Sequence, residues 1–501
     1  SDAHRPFLPI PSGKANEMLE RFFRLREHGT NVRTELLAGL TTFLTMAYII
    51  FLQPGILSGE GLTPSISTGL DFHSVMIATC LSAALATAVM GLYARYPIGQ
   101  APGMGENFFF VFSVLPAAAA MIAVGAEDGS IDPATTSPWQ IALGVVFIAG
   151  LLFMLLTLFG IRRMVFEAIS PSMRHAIAIG IGLFIALIGM RNAGLVVPDA
   201  APPRIDPHFA SPDLIVFFFG LFLTAVLFAR RVRGAIVWGI LGATLFAVLL
   251  QFALVHAPEA MSQSEIVTKS RLMRDFAPTY RVVSAPPSMA PTLLKMDLVH
   301  ALSWPMMPFI LVFLFMDVFD TLGTLIGVSE QAGLIKNGKL PRMRQAMMSD
   351  AVGTVAGAAM GTSTVTSFIE SAAGVEQGGR TGLTAVVVAV LFLAALFFSP
   401  LIGMVGHYSP ITAPALIVVG AMMLRNTTHI EWNNYAESLP SFLIIVGIPF
   451  TYSIADGLAL GLIAYPVVKL AAGQHRDVRG LMVLLALVMV AYFVFVRSRT
   501  G

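Results

Sequence analysis

Three carboxylates fall where a membrane-embedded chain should not tolerate them: Asp317 and Asp320 within LVFLFMDVFDTLGTLIGV, and Glu370 within GTSTVTSFIESAAG. An ionised carboxylate at the bilayer centre costs roughly 2.5–3.5 kcal/mol even on a lenient insertion scale, so such residues are expected to hold a polar solute or a proton. Asp317 and Asp320, three apart, lie about 60° apart around a helix and could face one cavity together. A carboxylate accepts hydrogen bonds from the N–H edge of a solute, while backbone N–H groups serve its acceptors. These segments contain no Lys or Arg. Protonation is then the simplest way to neutralise them, and Asp317 is the expected proton carrier. Asp320 has a second reading of equal standing, as an acceptor for the hydroxyls of Thr321 or Thr324.

Composition identifies the elements that must position these groups. The chain is 56% hydrophobic and only 12% charged, with mean hydropathy +0.78, against about 25% charged residues in soluble domains. It is therefore expected to be polytopic in a membrane. A formal net charge of +2 gives no reason to expect a nucleic-acid partner. The single cysteine, Cys80, excludes an intrachain disulfide and a cysteine metal cluster, and no metal site or cofactor is expected.

Hydropathy places spans near 35–57, 75–93, 101–124, 139–160, 168–190, 213–229 and 235–255, then near 303–328, 345–361, 363–374, 381–398, 410–424, 439–470 and 481–497. The proline-rich break at about 257–300 reads as an exposed connection. Arg95, the pair Arg162 and Arg163, and the cluster Arg230, Arg231 and Arg233 follow even-numbered spans, and Lys336, Lys339, Arg342 and Arg344 follow the eighth. Residues 1–34, with Arg5, Lys14, Arg21, Arg24, Arg26 and Arg33 before any apolar core, predict a cytoplasmic N-terminal segment and a retained first helix. Seven spans per half require the halves to insert in opposite senses, the inverted-repeat plan of many secondary transporters. An internal echo fits duplication: LFGIRRMVFEAISPSMRHAI followed by Met190–Asn192 matches FFSPLIGMVGHYSPITAPALI followed by Leu424–Asn426. Pro449 and Asp456 interrupt 439–470, which reads either as one span or as two half-membrane pieces, and Asp456 reads as a helix cap.

The third segment of each half is the most unusual. YPIGQAPGMGENFFFVF crowds Pro97, Gly99, Pro102, Gly103 and Gly105 before Glu106, which forbids a regular helix there. GTSTVTSFIESAAG has a β-branched, hydroxyl-rich run before Ser367, which favours extended backbone. Interrupted segments at matching positions point to a transporter site, because they aim half-helix N-termini at the midplane. Phe108, Phe109 and Phe110 read first as packing, and His175 as a residue of the cytoplasmic end.

LLAGLTTFLTMAYIIFLQPGIL, APGMGENFFF, MDVFDTLGTLIGV, GTSTVTSFIESAAGVEQGGRTGLTAV and FTYSIADGLALGLIAYP together resemble the AzgA-like branch of the nucleobase:cation symporter-2 family, microbial permeases for hypoxanthine, guanine or adenine. The resemblance runs from about Thr34 to Lys469. It implies an all-α polytopic fold like that of the uracil permease, with 14 transmembrane segments in two inverted repeats of seven and short β-strands in segments 3 and 10. On that plan residues 35–255 form the first repeat (core 35–160, gate 161–255), 256–302 an extramembrane loop, and 303–501 the second repeat (core 303–398, gate 399–501). It further implies a proton-coupled importer in the cytoplasmic membrane, elevator-type movement of the core, and a homodimer through the gate domains. Carried over by motif, Glu370 and Asp317 face the base, Asn107 is the segment-3 asparagine, and the backbone amides of Phe108 and Ile369 face the substrate. Asp320 is the second acidic residue of segment 8. Glu106 departs from the branch pattern and either caps the turn or shares a proton with Asp317.

Two other classes were weighed against a purine permease. An anion transporter of the same fold would favour a positive site. An intramembrane aspartyl protease needs two aspartates from different helices, whereas Asp317 and Asp320 share one and no GxGD motif occurs.

Overall fold

The computed structural model describes residues 14–127, 129–160, 169–197, 204–335 and 340–497. Arg5, Arg162, Arg163, Lys336 and Lys339, invoked above for orientation, lie outside the described residues, as does the middle of the first echo segment. Among the described residues eleven helices are long and apolar enough to cross a membrane.

The first half comprises α1 (Lys14–Phe23), α2 (Val32–Met46), α3 (Ile49–Ser58), α4 (Phe72–Val89), strand β1 (Gln100–Pro102), α5 (Met104–Phe109), α6 (Leu115–Glu127), α7 (Pro138–Phe159), α8 (Pro171–Asn192), α9 (Pro212–Ala229) and α10 (Ala235–Val255). The second comprises α11 (Met307–Gln331), α12 (Met343–Met360), strand β2 (Val365–Ser367), α13 (Ser371–Glu376), α14 (Gly382–Ala395), α15 (Ser399–Gly406), α16 (Ser409–Met423), α17 (Tyr435–Thr451), α18 (Ile454–Ala471) and α19 (Gly480–Ala491). Helix starts follow Ser-Pro dipeptides. Ser170 and Ser211 accept from the amides of Met173 and Leu214, both at 3.3 Å, and the prolines after them occupy the first helical position, where a missing N–H does no harm.

The helices sort into two packed groups. One contains α2, α4, α7, α11, α12 and α14 around the strands; the other contains α8, α9, α10, α16, α17 and α18. Within the second, α8 and α16 approach so closely that a Cβ on Gly420 would stand 2.4 Å from the carbonyl oxygen of Gly182. Small residues permit that backbone contact, which supplies dispersion attraction where lipid offers no hydrophobic drive.

β1 and β2 pair antiparallel, with Gln100 opposite Ser367, Ala101 opposite Thr366 and Pro102 opposite Val365. The pairing satisfies backbone groups that neither segment could satisfy as a helix. Its ends are locked by Gly103 N–H to Thr364 O at 3.1 Å, Phe368 N–H to Gly99 O at 3.0 Å, and Gly99 N–H to Ser371 Oγ at 3.0 Å. The spans expected at 101–124 and 363–374 are therefore each a strand followed by a helix.

Two expectations are corrected, and one open reading is settled in favour of two pieces. The span at 439–470 is two helices, α17 and α18, separated where Tyr452 adopts φ 56° and Ser453 caps α18. This adds a helix to the seven segments expected of the second half. Asp456 is not the cap: Ser453 Oγ accepts from its amide at 3.2 Å, and its carboxylate accepts from Tyr492 OH at 2.8 Å and Arg497 Nε at 3.0 Å. The 256–302 connection is a folded cover, not a bare loop. It contains short helices at Glu259–Ser262, Glu265–Thr268, Arg271–Arg274 and Leu298–Ala301. Buried Leu272 and Phe276 anchor it, and Asp213 accepts from the amides of Arg271 and Leu272, both at 2.9 Å.

Candidate transport site

The paired strands bring two helix N-termini together at α11. The chain enters α5 at Gly103, whose φ and ψ of −75° and 134° are extended, so the amides of Met104 and Gly105 have no preceding helical carbonyl to bond. Phe108 lies a turn further in, where its amide belongs to the helix; its ring stacks on Phe112 at 6.0 Å and meets Phe184 edge-on at 6.1 Å. The amide of Phe108 is thus a helix-interior group, and the unpaired amides of this turn are those of Met104 and Gly105, because α5 begins earlier than the motif suggests. On the other strand Ile369 is 47% exposed, and its N–H has no protein acceptor among the described residues.

Glu370 stands at the start of α13, half-buried, with Oε1 accepting from Tyr48 OH at 2.8 Å and its carbonyl from Thr45 Oγ1 at 3.2 Å. The hydroxyl of buried Tyr48 fixes one carboxylate oxygen and leaves Oε2 available. Tyr48 was missed in the sequence because an aromatic residue inside TMAYIIF reads as packing; its phenol at membrane depth was the signal.

Asp317 and Asp320 do not share one cavity face. Asp320 is exposed, with Oδ2 accepting from Thr366 Oγ1 at 3.3 Å, and Thr366 in turn shares a 3.0 Å hydrogen bond with Thr321. Asp317 is 2% exposed and turns inward, where Oδ2 accepts from Thr354 Oγ1 at 3.1 Å. Its acidic neighbour is Asp350 of α12. Asp350 is fully buried, and its Oδ1 accepts from Gln100 Nε2 at 2.9 Å and Ser367 Oγ at 3.4 Å. Asp317 Oδ1 and Asp350 Oδ2 are left buried without a donor. Asp350 was overlooked in MRQAMMSDAVGTVAGAAM, whose small residues read as a packing helix; a charge in mid-span was the available signal.

Glu106, 3% exposed, occupies the third position of α5. Its carboxylate folds back over the turn, so that a Cβ on Gly103 would meet Oε2 at 2.2 Å, and it faces Asp320 and Asp317. Asn107 is fully buried and engaged on both sides of its amide. Its Nδ2 donates to Gln53 Oε1 and its Oδ1 accepts from Ser363 Oγ, while Gln53 Nε2 reaches Thr362 Oγ1 at 2.8 Å. In this structure it ties α3, α5 and the approach to β2 together and presents no free group to a solute.

Beyond Asp320 one face of α11 is open, with Gly323, Ile326 and Gly327 exposed. A Cβ on Gly323 would meet nothing within 4 Å, and one on Gly327 only Ile369 Cδ1 at 3.7 Å. That face runs toward the end where α11 finishes at Gln331. Arg342 reaches Ala94 O at 3.4 Å there, and Arg344 reaches Leu158 O at 3.0 Å. The opposite approach is shut. A Cβ on Gly105 would lie 3.1 Å from Ile181 Cγ2, and Phe112, Phe184 and Tyr452 form an edge-to-face cluster with centroids 5.1–5.5 Å apart. His175, at the open end of α8, stacks on His429 and bonds Asn426 Oδ1 at 3.0 Å, well removed from the carboxylates in role.

Paired broken segments that meet at a cluster of carboxylates inside a bundle of apolar helices are the plan of a membrane permease. The solved transmembrane domain of the cyanobacterial bicarbonate transporter BicA has the same fold, at TM-score 0.54 and 12% identity, covering 88% of this chain and 97% of that one. The chain belongs to the Permease family, whose profile matches residues 33–496. It is 38% identical to the adenine permease AdeP of Escherichia coli over 96% of both chains. With the guanine/hypoxanthine permease PbuO of Bacillus subtilis it shares 39% identity over 93% of this chain and 98% of the other. It is accordingly a polytopic permease and not an enzyme. That matters for the protease reading, since Asp317 and Asp350 do bring two helices' aspartates together, but in a sealed interior hemmed by Thr354 and Gln100.

Proposed function

We propose that this permease carries purine nucleobases, adenine, guanine or hypoxanthine, across the cell membrane together with protons. The observation that carries the reading is Glu370: a carboxylate with one oxygen fixed by Tyr48 and the other free, beside the unpaired N–H of Ile369 and across from the α5 N-terminus. A purine presents N–H donors and ring-nitrogen or carbonyl acceptors along its edges, and that mixture of acceptor and donors suits it. The names of the relatives support the substrate class. The carboxylates speak against an inorganic anion as cargo, although the fold is shared with a bicarbonate transporter.

The Asp317–Asp350 pair is the proposed proton site, and Asp320 lies between it and the exposed face of α11. Asn107 and Glu106 position the α5 turn. The helix group around the strands acts as the core and the other as the gate, with the exposed face of α11 leading to the cytoplasm, the side to which the loop charges of Arg95, Arg230, Arg231, Arg233, Arg342 and Arg344 assign these helix ends. Transport then requires the core to move against the gate and reopen on the far side, and pairing of two copies through their gates would anchor that movement in the lipid. Radiolabelled adenine, guanine and hypoxanthine uptake into proteoliposomes, with an imposed inward proton gradient and a competition panel of pyrimidines, tests the proposal. Uptake that needs sodium and ignores the proton gradient rejects the coupling; failure of every purine to compete rejects the substrate class.

A further inference from the structure

At the closed end, the two helix groups are joined by a compact polar contact centred on Asn192, the last residue of α8. Its Oδ1 accepts from Thr63 N–H at 3.0 Å, and its Nδ2 donates to Gly61 O at 3.0 Å. Its carbonyl accepts from Ser409 Oγ at 2.9 Å and from Thr63 Oγ1 and Arg271 Nη1, both at 3.4 Å. Arg271, from the folded 256–302 cover, also donates to Thr63 Oγ1 and reaches Ser409 Oγ at 2.8 Å. Gly61 and Thr63 follow α3, in the group that holds the strands; Asn192 and Ser409 belong to the other group. Each of these cross-group bonds must break before that end can open.

The echo in the sequence places a second asparagine in the inverted position. Asn192 ends the fifth segment of the first half, a helix that begins Ser170-Pro171; Asn426 lies in the 3-10 turn Leu424–His429 that follows the fifth segment of the second, which begins Ser409-Pro410. Gly61-Leu62-Thr63 follows the first segment of one half, and Gly333-Leu334-Ile335 follows the first segment of the other. Inversion puts these two sets on opposite membrane faces. Here Asn426 remains within its own group, with Nδ2 donating to Met423 O at 2.9 Å and Oδ1 bonded to His175.

We infer that Asn192 and Asn426 are alternate latches between the two helix groups: Asn192 is closed on Gly61 and Thr63 in this structure, and Asn426 closes on Gly333–Ile335 when the first latch opens. The inference rests on the alternating-access reading above. An amide suits such a latch because it donates and accepts at once with no charge to desolvate at each exchange. A cavity of about 360 Å3, lined by Thr63, Asn192, Asp213, Lys269 and Arg271 among others, adjoins the closed latch, so water can replace its bonds as they part.

The test uses full-length protein with Cys80→Ser. Ile181→Cys, at a position buried behind the closed end, serves as reporter, alkylated by a membrane-impermeant maleimide from that side without any substrate present. Because the reporter reads the minor state, its labelling rate follows the equilibrium between states; Asn192→Ala and, separately, Thr63→Val are expected to raise it by about tenfold, for the loss of one or two hydrogen bonds. Asn426→Ala should lower it. Joining Thr63→Cys to Asn192→Cys by oxidation should abolish uptake, with recovery on reduction. Unchanged labelling in both Asn192→Ala and Thr63→Val, or normal uptake by the cross-linked protein, overturns the latch. Labelling that shifts as expected in a protein that transports no purine leaves the latch standing and rejects the substrate instead.

Discussion

Two pairs of acidic residues lie close together in this permease and are held in opposite ways. Asp317 and Asp350 face each other inside the helix group, sealed and ringed by Thr354, Gln100 and Ser367, with one oxygen of each lacking a donor. Asp320 and Glu370 are accessible, each with a single side-chain hydroxyl donor, from Thr366 and Tyr48. A sealed pair can hold a proton but cannot meet a purine; an open pair can meet a purine and exchange with water. On the proposed reading depth, not residue type, divides the labour.

The comparison is broken most directly at Glu370. Glu370→Gln substitutes a neutral acceptor and a misplaced donor for a charge-assisted bond, a loss of about 1.5–3 kcal/mol or roughly ten- to a hundredfold in affinity. Equilibrium binding of labelled purine measures it, and Asp320→Asn should lose less; equal losses in the two folded variants would erase the distinction. In the sealed pair, Asp350→Asn removes the shared proton while retaining an acceptor for Gln100. Uptake should fall about tenfold and cease to respond to an imposed proton gradient, whereas substrate affinity should change by less than about threefold. A variant still driven by the gradient would move the proton site elsewhere.

Smaller effects sharpen the picture. Tyr48→Phe deletes the donor that holds Glu370 Oε1, and affinity should drop by about three- to tenfold, as expected for one hydrogen bond to a charged group; a titration of purine binding on the purified variant decides it. Glu106→Gln keeps an acceptor over the α5 turn and removes one charge from a site that already faces Asp317 and Asp320. Uptake within about threefold of the parent, with an unchanged or higher melting temperature, is the expected result. A large change in the pH profile of uptake would instead make Glu106 a member of the proton pathway.

The broken segments were legible because their cause is local: five Pro and Gly residues before Glu106 and a β-branched run before Ser367 cannot continue a helix. Glu370 was legible because a charge in an apolar stretch announces itself. What spacing could not supply was the rotation of α11 against its neighbours, which turns Asp317 inward and Asp320 outward although both lie on adjoining faces. Asn107 illustrates the same limit, since only packing shows that Gln53 and Ser363 engage its amide. An interruption of 439–470 was legible from Pro449 and Asp456, but not its place, which is set by the left-handed backbone at Tyr452 that this residue type does not advertise.

The antiparallel pairing of β1 and β2 has a consequence for the direction of flow. It stitches both half-helices into one body. In the proposed alternating-access cycle a berth built on them keeps its shape whichever face it opens to, so affinity for cargo should be nearly the same on both sides of the membrane, with no import bias from the protein itself. Net movement is set by the gradients alone: cells loaded with purine and placed in alkaline medium should lose it through the same permease that otherwise gathers it.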